Sequence, residues 1–263
     1  MNRYVIGAIL IAFAVGALYL TGFFGESGTM RNVEMLSGEG ANEVATSTVN
    51  YFENAEGLLA RPTEAGSYPG VVMIHENRGL RPEIRAMAEE LAAEGYIVLA
   101  VDLLGGVAED QDGARALTAN FSQEKGVENM RAAAAFLRGE GATKIASLGW
   151  CFGGRQSLEL AMSGEPLAAT IVYYGGGMAT STEALAPIEW PVLGIFGDQD
   201  QVISADMVGQ FETSLNTLGI QNEIYMYPGV GHAFANPSGM NYAPEETKDA
   251  WAKTIVFLNS NLR

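Results

Sequence analysis

Hydrophobic and polar positions follow two regimes along this chain of 263 residues. Tyr4 to Phe24 carries no charge, between Arg3 and Glu26. A run of that length can cross a bilayer as a helix. Residues 26–46, rich in Gly, Ser, Glu and Asn, read as a tether. Beyond them, short apolar runs bounded by turn residues predict strands, and apolar positions at a spacing of three to four predict helices. Ser47 to Glu53 and Gly57 to Ala60, joined around Asn54-Ala55-Glu56, predict an antiparallel pair at a sheet edge. Val71 to His75, Tyr96 to Val101, Thr143 to Leu148, Trp190 to Phe196 and Glu223 to Tyr227 are nearly continuous apolar runs, as parallel strands covered on both faces require. The helix Pro82 to Ala93 has proline in its first turn and Gly95 at its stop, with Ile84, Met87 and Leu91 toward the sheet. Further helices are predicted at Val127 to Leu137, from Gly153 onward, and at Glu245 to Leu262 with Trp251, Ile255 and Leu258 inward. Strands alternating with helices define an α/β fold with a mostly parallel central sheet and helices on both faces. Residues 47–263 suffice for one such domain behind an N-terminal transmembrane helix.

The chain has one cysteine, Cys151, within Gly149-Trp150-Cys151-Phe152-Gly153, between a predicted strand and a predicted helix. A nucleophile on such a turn needs glycine two positions away on either side, because the backbones approach too closely for a side chain. A lone cysteine also has an ordinary reading as a small buried hydrophobe. Order separates the two. The loop Gly197-Asp198-Gln199-Asp200 follows one later strand, and Pro228-Gly229-Val230-Gly231-His232 follows the next. Nucleophile, acid, histidine is the order of the α/β-hydrolase triad. Asp198 and Asp200 both qualify as the acid, and either could be a turn carboxylate. The other histidine, His75, precedes the nucleophile and reads as a structural or oxyanion-loop residue, with substrate contact as its second role. No G-x-G-x-x-G follows a strand, CxxC and HExxH are missing, and two histidines with one cysteine are too few for a zinc site. Neither a cofactor nor a metal is expected.

From Ser47 onward the sequence resembles the dienelactone hydrolases (carboxymethylenebutenolidases), a family of the α/β-hydrolase fold. The resemblance rests on His75-Glu76-Asn77-Arg78-Gly79-Leu80, Val101-Asp102-Leu103, Gly149-Trp150-Cys151-Phe152-Gly153-Gly154, Asp200, and Gly231-His232-Ala233-Phe234. It implies Cys151 as nucleophile, His232 as base and Asp200 as the acid. It further implies Glu76 as a carboxylate that contacts the resting thiol and helps form the thiolate, with the N–H groups of Phe152 and Asn77 as the oxyanion hole. Glu76 also has a plain reading as a loop-end carboxylate paired with Arg78. His75, Arg78, Trp150 and Asn236 are candidate substrate contacts, and Arg78 and Arg155 could hold an anion or sit in surface ion pairs. The implied reaction is hydrolysis of an ester or lactone through an acyl-enzyme. Acyl transfer or thioester hydrolysis on the same scaffold, and a non-catalytic membrane-tethered binding module, are the alternatives. In the resemblance, two arginines grip the substrate carboxylate; their places hold Asn236 and Gly106 here. Neither supplies a fixed bidentate charge, so a neutral or differently clamped ester, lactone or thioester is expected.

Composition bears on location and partners. A secretory signal has an apolar core of about 7 to 15 residues and a small-x-small cleavage site. Thr21-Gly22-Phe23-Phe24-Gly25 makes a poor one. The pattern favours an uncleaved anchor over residues 1–25, with a signal peptide and secretion as the alternative. Arg3 before the apolar run and Glu26 after it place the catalytic domain outside the cytoplasm. A single cysteine forms no internal disulfide, which suits a reactive thiol in an oxidising compartment. The net charge of −16 argues against nucleic acid as a partner. It also disfavours unassisted capture of anionic substrates.

Overall fold

Along the two central strands, alternate side chains enter opposite layers. In β3 (Gly70–Ile74), Val71 and Met73 join one buried cluster, whereas Val72 and Ile74 join the other. β4 (Ile97–Val101) divides Val98 and Ala100 from Ile97, Leu99 and Val101 in the same way. Period-two alternation with both faces apolar demands a covering layer on each side. The helix α1 (Pro82–Ala93) supplies Ile84, Ala88 and Leu91 to the first cluster. It has no side-chain N-cap bond. Each buried aliphatic side chain contributes roughly 1.5–3 kcal/mol against about 1 kcal/mol for a cap, so packing holds this helix in place.

The structure is a computed structural model describing residues 42–263. The predicted anchor and most of the predicted tether lie outside the described residues. Among the described residues no helix is long and apolar enough to cross a membrane. The remaining elements are β1 (Val44–Phe52), β2 (Ala55–Pro62), α2 (Gln111–Ala119), α3 (Gln123–Gly139), β5 (Ile145–Trp150), α4 (Phe152–Met162), β6 (Ala169–Tyr173), α5 (Thr182–Leu185), β7 (Val192–Gly197), α6 (Ala205–Thr217), β8 (Asn222–Tyr227) and α7 (Pro244–Leu262). α3 covers the second cluster through Met130, Ala133, Ala134 and Leu137, and α7 closes the first with Phe257 and Leu258.

The eight strands form one sheet in the order β1-β2-β4-β3-β5-β6-β7-β8. β2 is antiparallel to both of its neighbours, and all other pairings are parallel. Every strand except β2 therefore runs the same way, and the loops that follow β3, β4, β5, β6, β7 and β8 share the carboxyl edge. Asn42 and Arg263 lie at the opposite edge. The Asn42 N–H donates to the Ala93 carbonyl at 2.9 Å, and the Arg263 guanidinium donates to the Glu94 carbonyl, both where α1 returns to β4.

Three differences from the sequence pattern stand out. β1 starts at Val44 and not at Ser47, so the last residues assigned to the tether are already paired in the sheet. Its turn to β2 is tighter than expected, with Glu53 at φ 44°. β6, α2, α5 and α6 are additional elements. β6 is a five-residue apolar run, for which periodicity does not separate strand from buried helix.

Candidate active site

Cys151 stands between β5 and α4 with φ 53° and ψ −113°, a conformation costly for any side-chain-bearing residue. Its N–H donates to the Tyr173 carbonyl at 3.0 Å, and its carbonyl accepts from the Arg155 N–H at 3.1 Å. The flanking glycines make the turn possible. A Cβ on Gly149 would lie 2.1 Å from the Gly153 carbonyl oxygen, and one on Gly153 would lie 2.3 Å from that of Ile74. α4 begins at Phe152, so the N–H groups of its first turn, which the helix cannot pair itself, open beside the thiol. Asn77, the other oxyanion candidate, lies in the loop after β3.

His232 lies between the thiol and a carboxylate. Its Nε2 is 3.1 Å from Cys151 Sγ, and its Nδ1 is 2.8 Å from Asp200 Oδ2. The other carboxylate oxygen of Asp200 accepts the Val202 and Ile203 N–H groups at 2.7 and 3.0 Å. Asp198 faces elsewhere: its Oδ1 accepts the Gly229 N–H at 2.7 Å, tying two loops together as a turn carboxylate. Burial pulls the His232 pKa down, but hydrogen bonds and charge from Asp200 and Cys151 outweigh it and raise the value to about 10. Burial works against the Asp200 carboxylate too, yet His232 and the two backbone donors hold it below the usual range.

Glu76 departs from the expected arrangement. The resting thiol has its hydrogen bond with His232, and Glu76 is held by other partners. The Asn236 amide donates to its Oε2, and the Tyr174 hydroxyl donates to its Oε1 at 3.5 Å. Burial raises the Glu76 pKa above the ordinary carboxylate value, opposed by the Asn236 hydrogen bond and the His232 charge. Arg78 is not its ion-pair partner and instead donates to the Glu109 carbonyl at 3.3 Å. Tyr174 is a site residue that the sequence reading lacks. It sits at φ 35° just after β6, with its ring 5.4 Å from that of His232. An isolated tyrosine at the end of an apolar run carries no local signal of such a place.

The remaining candidates divide. His75 is fully buried, with Nδ1 bonded to the Glu76 carbonyl at 2.6 Å and Nε2 accepting the Leu103 N–H at 3.1 Å. Both ring nitrogens are engaged, so it has no polar atom left for substrate. It ties the loops after β3 and β4 together. Arg155 pairs with Glu159 at 3.4 Å, one helical turn away, as a surface ion pair does. Trp150, Arg78 and Asn236 line a small pocket beside Glu76. Gly106 serves the backbone: its carbonyl oxygen lies 1.9 Å from where a Cβ on Gly79 would be, so the two loops meet main chain to main chain.

The mostly parallel sheet, helices on both faces, and a strand-turn-helix elbow at the carboxyl edge define an α/β-hydrolase fold. Within that class, the sequence pattern of the Dienelactone hydrolase family matches residues 55–262, and the chain belongs to that family. It is 29% identical over 231 residues to a Saccharolobus solfataricus protein described as "Putative carboxymethylenebutenolidase", covering 72% of this chain and 88% of the relative. A Synechocystis protein with the same description is 27% identical over 227 residues, covering 79% of this chain and 92% of its own. Among solved structures, a dienelactone hydrolase-like promiscuous phosphotriesterase from metagenomic libraries superposes with a TM-score of 0.77 at 21% identity. That match covers 85% of this chain and all of the other, and it shows a shared fold.

Proposed function

We propose that the protein hydrolyses a carboxylic ester or lactone, with Cys151 as nucleophile and an acyl-enzyme as intermediate. The observation that carries this reading is the unbroken chain from Asp200 to His232 at 2.8 Å and from His232 to Cys151 Sγ at 3.1 Å. An imidazole whose basicity is raised by its bonds to Asp200 and Cys151 fits a base that takes the thiol proton as the thiolate forms. The thiolate attacks the substrate carbonyl carbon, and the carbonyl electrons move onto oxygen. The N–H groups of Phe152 and Asn77 receive that oxyanion, a contribution of about 3 kcal/mol for each donor. As the C–O bond breaks, His232 gives its proton to the leaving alkoxide. The now neutral His232 takes a proton from water, whose oxygen attacks the thioester, and Cys151 departs as thiolate with the acid released.

The names of the two relatives support a lactone or related ester as the substrate class. Asn236 and Gly106 in the two arginine places favour a neutral substrate over one carrying a carboxylate. The deciding experiment is a screen on p-nitrophenyl esters and simple lactones with Cys151→Ala as control. Turnover by the wild type, reduced to background in the variant, is expected. Equal turnover by both would remove Cys151 from the chemistry.

The same proposal tethers the catalytic domain to a membrane and places it outside the cytoplasm. Its support is the uncharged run from Tyr4 to Phe24 with Arg3 on the short side.

A further inference from the structure

Trp150, the last residue of β5 and the chain neighbour of Cys151, is 2% exposed, and its indole Nε1 has no hydrogen-bond partner. Trp190 shows the usual arrangement, its Nε1 donating to Thr170 Oγ1 at 2.8 Å. Buried indole N–H groups ordinarily find an acceptor, and leaving one without costs about 1–3 kcal/mol. Packing against Tyr173 at 5.4 Å and Trp251 at 6.4 Å accounts for the ring but not for its polar edge.

Trp150 borders a pocket shared with Glu76, Glu83, Ile84, Met87 and Asn236. Its free volume is about 20 Å³, enough for one water-sized group. A second buried polar atom in its wall, Glu83 Oε2, also has no partner, while Oε1 accepts from Arg81 Nε at 3.2 Å. The guanidinium of Arg81 is occupied by Glu83, by the Ala108 carbonyl at 3.0 Å and by Glu109 at 3.6 Å. Arg78 also lines the pocket, its guanidinium donating to the Glu109 carbonyl at 3.3 Å, so two carboxylates are matched by two arginines and the wall favours a neutral polar group over a charged one. A donor and an acceptor both without partners fit a group that accepts and donates at once, and a hydroxyl does both.

We infer that this pocket is a specificity subsite for a substrate hydroxyl, which accepts from Trp150 Nε1–H and donates to Glu83 Oε2. The substrate class is then a hydroxylated ester or lactone and not a carboxylated one. The inference rests on the hydrolase reading for its kinetics. Trp150 is the chain neighbour of Cys151, and Tyr174, which also lines the pocket, has its ring 5.4 Å from that of His232, so the subsite lies beside the Cys151–His232 pair.

The test compares γ-butyrolactone with its 2-hydroxy and 3-hydroxy derivatives on the wild type, Trp150→Phe and Glu83→Gln. The readout is the ratio of kcat/KM between hydroxylated and parent lactone, because the intrinsic reactivity of each lactone cancels between enzymes. At least one hydroxylated lactone should show a ratio about tenfold higher in the wild type than in Trp150→Phe, with a smaller fall in Glu83→Gln. Independently of turnover, in ¹⁵N-labelled Cys151→Ala the Trp150 indole signal, assigned by its loss in Trp150→Phe, should move downfield with that lactone and stay put with γ-butyrolactone. A ratio equal in all three enzymes and an unmoved indole signal would mean that the pocket holds a structural water only, which overturns the inference. Loss of all turnover with the indole shift intact would count against the hydrolase reading and leave the subsite standing.

Discussion

The Asn236 side-chain amide donates to the Glu76 carboxylate, joining two loops whose residues are 160 positions apart in the chain. The position where the family resemblance expects a substrate-gripping arginine is thus occupied by a residue that serves the enzyme's own carboxylate. An amide donor favours the ionised carboxyl, so Asn236→Ala should raise the Glu76 pKa further. Activity that needs ionised Glu76 would then lose its acid limb at a higher pH than in the wild type. Asn236→Arg should act in the opposite sense and raise kcat/KM on carboxylate-bearing esters about tenfold. A kcat/KM profile against pH for each variant checks both.

Cys151 is held at φ 53°. Relief of that strain is worth about 1–3 kcal/mol, and glycine costs about 0.5–1 kcal/mol in added unfolded-state freedom. Cys151→Gly should therefore melt about 2–4 °C above Cys151→Ala, with both inactive. Calorimetry of the two variants decides, and a Gly variant that melts lower would mean the turn is not strained.

Asp200 and Asp198 should separate by function. Asp200→Asn presents the wrong partner to His232 Nδ1 and is expected to lower kcat about 10³- to 10⁴-fold. Asp198→Asn still accepts the Gly229 N–H through its amide oxygen and should stay within about threefold of the wild type. Steady-state kinetics on any ester turned over by the wild type compares them.

With only two histidines in the chain, His232 can be followed by NMR. Its C–H resonances should titrate near pH 10 in the wild type and at lower pH in Cys151→Ala, which lacks one of the partners that raise the value. The stability consequence has a definite sign. A folded-state pKa raised from 6.5 to about 10 contributes stability that is complete below about 6.5 and lost as pH rises through about 10. Asp200 works at the other end, contributing above 3.8 and losing that contribution as pH falls through its depressed value.

Membrane attachment makes a prediction of its own. The full-length protein should fractionate with membranes and keep Met1 or Asn2 at its N-terminus. Deletion up to about Gly28 should release a soluble enzyme with the same kinetics. N-terminal sequencing that begins near Gly25 would instead identify a cleaved signal.

The elbow was legible because its chemistry is local: Gly149 and Gly153 are required by approaches of 2.1 and 2.3 Å to neighbouring backbone, and no other residue type fits. The helix α1 was legible for a similar reason, with Pro82 and Gly95 marking its ends and Gly95 taking φ 90°. Asp198 and Asp200 could not be told apart from residue type, since each caps backbone N–H groups and only the fold brings one of them to His232. Tyr174 and the partnership of Asn236 with Glu76 left no trace in any window of sequence, because β6 beside β5 and the loop after β8 create them. His75 reads from the sequence first as a structural or oxyanion-loop residue and second as a substrate contact, and its surroundings fit the first. Burial at the end of β3 turned both its nitrogens to the backbone.

The parallel course of β1 with the central strands fixes how the molecule can be held. Asn42 and Arg263 both dock where α1 meets β4, on the edge of the sheet away from Cys151 and His232. A bead, an electrode or an affinity tag joined at either place would grip the domain from behind and leave the mouth of the site turned outward. Held through those positions, the domain would keep Cys151 and His232 on the side facing away from its support.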